Sequence, residues 1–396
     1  MPLAESGSRS PRLWLLCCGF VVCGMVTVLP GPLLPLMAAR WGLHDVQSGG
    51  FFAAEFAAST VGSIFSPYRL RRNLPTGYAL MTAGALLLLA SWQTAVWGHA
   101  LALGGFALLG LAVGLSVTAT NLHVASRAQG RARRLSVVNL FWGAGAVACP
   151  WLIAVVERAG RVGSLVAGIA LWAGLMFLRL MPLLRSAEAA VPAAGAGSRK
   201  TQAGILGFFA VFLFLYVGVE NAVGGWITTY AHRFGGMTLE QSSLIVSLYW
   251  LALLAGRGIG SVVLRSVPER AVLLPALALG LAAVTALVAP HSTPVMMAAV
   301  AVAGMGFGPV FPVGMARMLA RIEDFRDTGW VFAFCASAGA VLPWLTGLVS
   351  TRSSSLRTGF AVPVAALAAI LALALMENVA LREPRPAEAA PVTPAG

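Results

Sequence analysis

The sequence predicts an all-α membrane protein whose twelve transmembrane helices form two six-helix parallel repeats. Three observations predict it. The 396 residues are 58% hydrophobic and only 10% charged, too little polar surface for a water-soluble globule of this size. Twelve apolar runs, separated by short charged or Pro/Gly punctuation, recur along the chain, each near the roughly 20 residues a spanning helix needs. The two halves also correspond at a nearly constant offset of 194 residues. Gln47-Ser48 answers Gln241-Ser242, Gly62 answers Gly256, and Gly110 and Gly114 answer Gly304 and Gly308. GAVACPWL from Gly145 answers GAVLPWL from Gly339 with one residue deleted. An even number of helices per half gives both halves the same orientation.

Residues 1–12 are polar, with Arg9 and Arg12, and read as a short tail. Helix 1, from residue 13 to about 37, is too long for a signal-peptide core and lacks a small-residue cleavage site. Its Pro30, Gly31, Pro32 and Pro35 should bend or break it, because each proline removes a backbone donor. Helix 2, about 46–67, carries Glu55, and Arg69, Arg71 and Arg72 follow. Helix 3 runs over about 75–92. Helix 4, about 97–125, has Gly110 and Gly114 at a spacing suited to close packing and ends polar, through Ser116, Thr118, Thr120, Asn121 and His123. After Arg127, Arg131, Arg133 and Arg134, helix 5 carries Asn139, Trp142, Gly143, Gly145 and Pro150 to about residue 156, and helix 6 covers about 162–184.

From 185 to 201 the composition turns to Ala, Pro, Gly and Ser with Arg199 and Lys200, a linker composition. It divides an N-terminal half, 1–184, from a C-terminal half, 202–396. Helix 7 covers about 203–231. Helix 8, about 239–264, carries Tyr249, Trp250 and Arg257. Helices 9 to 12 fall near 268–289, 294–319, 328–350 and 356–381, before a Pro/Ala tail.

The net charge of +13 does not point to nucleic acid, because the arginines sit at helix ends. Six of the 27 basic residues (Arg40, Arg158, Arg161, Arg233, Arg352, Arg357) fall on one side, Arg257 falls inside the membrane, and the remaining twenty fall on the other side. The positive-inside rule therefore predicts cytoplasmic termini and linker in a multi-pass inner-membrane protein. The five cysteines lie in apolar runs without a CxxC pair or a His at ligand spacing, and read as small core residues. Only three aspartates exist, Asp45, Asp324 and Asp327. The last two, with Glu323, read as a solvated network or gate among Arg317, Arg321 and Arg326. With no paired acids for a metal and no nucleophile with a base, no enzyme and no cofactor is expected.

The most informative stretch is 216–230, YVGVENAVGGWITTY, which puts Glu220, Asn221, a glycine pair and Trp226 inside an apolar run. A carboxylate at membrane depth costs roughly 2.5–3.5 kcal/mol on insertion scales, so it needs a cavity, a partner or a proton. Gly224-Gly225 should loosen this helix, and the 194 offset sets Pro30-Gly31 against the same pair. Interruptions at corresponding places in two halves point to a transporter's binding site, and these four residues are the expected gate. The competing reading is a close glycine contact beside a hydrogen-bonded acid. Counting residues puts Glu55 about 13 Å and Glu220 about 16 Å from the same membrane face. Arg257, about 10 Å from the other end of its helix, is expected to stand too far along the normal for a simple ion pair with Glu220, and reads as structural or gating.

Glu55 and Glu220 are the candidate proton carriers, since a carboxyl in low dielectric is costly when ionised and cheap when protonated. For Glu55 the competing reading is a neutral acid bonded to a helix carbonyl. Asn121, Asn139, Trp142, Asn221, Trp226, Gln241 and Tyr249 could bind a neutral polyol through amides and an aromatic face, though these residue types also serve as helix glue and interface anchors.

YVGVE…GGW on helix 7, VNLFWGAGAVACP on helix 5, GLSVTATNL on helix 4 and FFAAEF on helix 2 resemble the fucose-permease-like sugar transporters of the major facilitator superfamily. The resemblance implies alternating access about a central cavity and, for many relatives, proton-coupled uptake of a monosaccharide. It also departs from the pattern. Helix 1 carries no acid, and Val117 stands where the family's ETAANP pattern places Glu. The loop signature GxxxDRxGRR is reduced to GSIFSPYRLRR from Gly62, and the sugar porters' PESPR run is missing after helix 6. Any coupling would therefore fall to Glu55 and Glu220. The expected partners are a small-molecule solute, protons and the lipid bilayer, with the chain acting as a monomer. Efflux of amphipathic drugs or metabolites is the alternative, because an aromatic cavity also suits those.

Overall fold

The computed structural model describes residues 13–125, 131–185, 200–289, 292–321 and 328–380. The predicted tails, most of the 185–201 linker and the acidic residues of the 322–327 loop lie outside the described residues. The helices are α1 (Leu13–Val28), α2 (Pro30–Trp41), α3 (Asp45–Phe65), α4 (Leu70–Ser91), α5 (Gly98–Ala125), α6 (Arg131–Arg158) and α7 (Val162–Leu180). They continue as α8 (Lys200–Phe234), α9 (Leu239–Val263), α10 (Glu269–Val288), α11 (Thr293–Phe307), α12 (Val310–Leu319), α13 (Thr328–Ser353), α14 (Leu356–Gly359) and α15 (Ala361–Ala380). Among the described residues ten helices are long and apolar enough to cross a membrane, or eleven if the bent pair α1–α2 is one span. The chain is thus an all-α, multi-pass membrane protein. The 21-residue α3 is more polar than these, and it packs against α5 and α13.

The predicted break in helix 1 is present as a 42° bend between α1 and α2, at Pro30. The predicted loosening at Gly224-Gly225 is not present, because α8 runs unbroken from Lys200 to Phe234. The reason is chemical. Proline deletes an N–H and clashes with the preceding turn, whereas glycine keeps its hydrogen bond and costs only about 1 kcal/mol relative to alanine. The glycines provide close approach instead. A methyl added at Gly31 would lie 3.1 Å from the Gly225 carbonyl oxygen and 3.2 Å from that of Gly224. One added at Gly225 would meet Phe52 Cζ at 2.6 Å.

Contacts between α3 and α5 recur between α9 and α11 at the offset seen in the sequence. Gly110 packs on the Glu55 backbone as Gly304 does on that of Tyr249, and Gly62 meets the Leu111 carbonyl as Gly256 meets that of Met305. The match of Gln47 with Gln241 has a local cause, a capping box at each helix start. Gln47 Oε1 accepts from the His44 N–H at 2.9 Å, and Gln241 Oε1 accepts from the Thr238 N–H at 3.1 Å.

The segments before and after the linker are tied together at the face opposite the chain ends. Asp45 at the start of α3 accepts two bonds of 2.7 Å from Arg233 near the end of α8, and one of 2.5 Å from Ser350 on α13. The Val46 N–H donates to Thr351 Oγ1 at 2.8 Å, and Arg158 pairs with Glu240. Toward the chain-end face the exposure of the α3–α13 pair rises. Phe52 and Ser350 are buried, whereas Phe65 and Trp330 are 60% and 46% exposed. Arg317 and Arg321 hold the buried Glu377 of α15 at 2.8 and 3.0 Å; the loop acids expected in a network with them lie outside the described residues.

Candidate functional site

Glu220 lies in mid-α8 and is buried. Tyr216, one turn earlier on the same face, sets its hydroxyl 2.5 Å from Glu220 Oε2, and Arg257 Nη2 stands 3.4 Å from the same oxygen. Tyr249 of α9 donates to the Glu220 backbone carbonyl at 3.0 Å. Tyr216 Oη is also 2.8 Å from the Phe307 carbonyl, at the end of α11. One hydroxyl proton therefore faces two acceptors.

The ion pair overturns the expectation that Arg257 is too far along the normal to reach Glu220. Helical side chains lean toward their own N-terminus. The N-terminus of α9 is at the face opposite the chain ends and that of α8 is at the chain-end face, so the two side chains lean toward one another. Counting Cα positions alone leaves out this convergence.

From this pair the cluster continues to the helix contact. A methyl at Gly224 would meet Tyr249 Cε1 at 3.0 Å and Trp250 Cζ2 at 3.1 Å. The Trp250 ring stands edge-on to Trp142 with centroids 6.1 Å apart. The structure thus brings together Gly31 with its neighbour Pro30, Gly224, Gly225, Glu220, Asn221, Tyr249, Trp142 and Arg257. Asn221 Nδ2 donates to the Val217 carbonyl at 2.8 Å, within its own helix. Arg257 Nε and Trp250 Nε1 are buried without a partner among the described residues.

Other predicted site residues stand apart. Glu55 is 2% exposed, with Oε2 unpartnered among the described residues. A buried carboxyl without a cation is least costly as the neutral acid, but the helix-carbonyl bond of the competing reading is not present among the described residues. Gln241 is committed to its cap at the start of α9. Asn121 lies near the end of α5, about 16 Å along the helix from Gly110, which is level with Glu55. Asn139, near the start of α6, lies toward the same chain-end face.

Trp226 is fully buried and donates to the Pro343 carbonyl at 2.8 Å. Trp226→Phe should therefore lower stability by about 2–3 kcal/mol, the sum of one hydrogen bond at about 1 kcal/mol and the cavity left by the smaller ring. Thermal unfolding checks this, and an unchanged unfolding free energy would leave Trp226 a candidate site residue.

Sequence reasoning missed Tyr216, although its position four residues before Glu220 was a readable signal, and the Phe307 carbonyl, which has none. It also missed Asp45, Arg233 and Ser350. Asp45 and Arg233 are 188 residues apart and share only a place at helix ends on one face.

The Major Facilitator Superfamily model matches residues 15–325. No curated protein matches the chain. Among solved structures, the E. coli fucose:proton symporter FucP is 17% identical, with 94% of this chain and 98% of that one covered and a TM-score of 0.62. A D-xylose-proton symporter is 13% identical over 92% and 96%, with a TM-score of 0.73. The nucleoside transporter NupG is 12% identical over 94% and 98%, with a TM-score of 0.70. At these identities the likeness is one of fold, and the family match extends over most of the chain: this protein belongs to the Major Facilitator Superfamily of transporters.

Proposed function

We propose that the chain is a secondary active transporter that carries a small neutral polar solute, a monosaccharide or polyol, with a proton that resides on Glu220. Twelve crossings form two six-helix halves, and the site is exposed alternately to either side. The termini and residues 185–201 are cytoplasmic in an inner membrane, and one chain suffices. The contacts repeated at the 194 offset support the two halves. The ties at one face and the rising exposure toward the other support an inward-facing state.

The hydrogen-bond count at Tyr216 carries the coupling. When Glu220 is protonated it donates to Tyr216 Oη, Tyr216 donates to the Phe307 carbonyl, and each acceptor is served. When Glu220 is ionised, the single Tyr216 proton serves either the carboxylate or the carbonyl, and Arg257 carries the balance of charge. Proton exchange therefore alters both the bond to Phe307, at the break between α11 and α12, and the pull on Arg257. The fucose and xylose symporters named above support a sugar as solute, and the unpartnered Arg257 Nε and Trp250 Nε1 are donors that a hydroxyl oxygen would satisfy.

Counterflow of labelled monosaccharides and polyols in proteoliposomes tests the solute class. Exchange of one of them is expected, and exchange of amphipathic drugs alone would overturn it. Glu220→Gln is expected to lose concentrative uptake to near background while keeping counterflow, and full uptake with an unchanged pH dependence would remove Glu220 from the role. Glu55→Gln, which preserves a neutral side chain of the same shape, is expected to retain coupled uptake.

A further inference from the structure

A groove of about 550 Å³ runs between α1 and α7 on the outside of the bundle. Its lining includes Trp14 and Cys18 from α1 and Leu171, Trp172, Leu175 and Arg179 from α7. The α7 members, counted from Gly168, fall at i, i+3, i+4, i+7, i+8 and i+11, so they form one stripe of that helix. Trp14 is in the first turn of α1 and Arg179 in the last turn of α7, which sets both at the chain-end face. Trp14, Leu171 and Leu175 are each more than half exposed.

We propose that this groove binds one anionic phospholipid from the leaflet at the chain-end face, with its phosphate on Arg179 and one acyl chain lying along the α1–α7 wall. Two complementarities support that occupant. The first is length. From Arg179 to Gly168, the far lining residue, the groove follows α7 for about 16 Å, and one leaflet's share of the hydrocarbon core is about 15 Å. The second is charge. Among the described residues no carboxylate pairs with Arg179, and the walls below it are apolar. An arginine on a convex helix surface would only snorkel to the interface. Here it lines the chain-end end of a concave apolar slot between two helices, where a lipid phosphate at the interface comes within its reach. Among the described residues most basic side chains, including Arg69, Arg71, Arg72, Arg265 and Arg270, belong to helix ends and turns at this face, so an anionic headgroup is favoured over a zwitterionic one. Trp14 and Trp172 supply rigid faces for the upper part of the chain.

Native mass spectrometry of the full chain, with added phosphatidylglycerol or phosphatidylcholine, tests the proposal. One phosphatidylglycerol is expected to survive activation that strips phosphatidylcholine. Arg179→Gln should lose that retention and Arg179→Lys should keep much of it. A methyl added at Gly168 meets nothing within 4 Å, so Gly168→Leu should fold normally and block the chain's path, also reducing retention. Equal retention of the two lipids by the parent protein, or unchanged phosphatidylglycerol retention in Arg179→Gln or Gly168→Leu, would overturn it. None of these readouts depends on transport, so the result is independent of the solute and the coupling.

Discussion

Arg257→Met is expected to lower the unfolding free energy by about 3 kcal/mol and to abolish coupled transport. Removing one partner of a buried pair leaves an uncompensated charge, at a cost of about 3–5 kcal/mol. The lower end applies because the Arg257 side chain is 32% exposed and Tyr216 still bonds the carboxylate. Thermal unfolding in detergent measures the loss. The double variant Glu220→Gln with Arg257→Met should recover most of the stability, since it removes both charges at once, and the non-additivity is the signature of the pair. It should not recover coupling. A single-variant cost below about 1 kcal/mol, the range of exposed pairs, would mean that the 3.4 Å contact contributes little and that Glu220 has another source of compensation.

Asp45→Asn is expected to shift the population toward a form open at the face opposite the chain ends. Asp45 joins three helices through charge-assisted bonds to both nitrogens of Arg233 and to Ser350, and the fork geometry makes such pairs stronger than neutral ones. Its side chain is 8% exposed, so solvent does little to replace them. A loss of about 2 kcal/mol corresponds to roughly a 30-fold change in the closed-to-open ratio, at 1.4 kcal/mol per tenfold. Labelling by an impermeant maleimide of a cysteine introduced at Ser48, buried near the start of α3, reads that ratio and should accelerate. Unchanged labelling would reject the latch. Arg158→Gln is the contrast: Arg158 is 75% exposed, and a solvated pair of this kind adds little.

Sequence alone determined the membrane class, the bend at Pro30, the repeat offset and the helical stretches except helix 10, which Pro309 divides into α11 and α12, because each follows from short-range chemistry. Apolar run length sets a span, proline deletes a donor, and Gln47 and Gln241 close capping boxes within three residues of the cap. It also singled out Glu220, whose cost at membrane depth is a property of the residue itself. Its partners were not legible. Whether Arg257 meets Glu220 depends on how α8 and α9 are rotated and on the opposite lean of their side chains, and neither leaves a mark in spacing. The same holds for Asp45 with Arg233 and Ser350, for Arg317 with Glu377, and for Trp226, whose polar atom is taken up by the Pro343 carbonyl. Residue type and helix position are local, while the neighbour across a packed interface is set by helix rotation and depth, which only the tertiary structure decides.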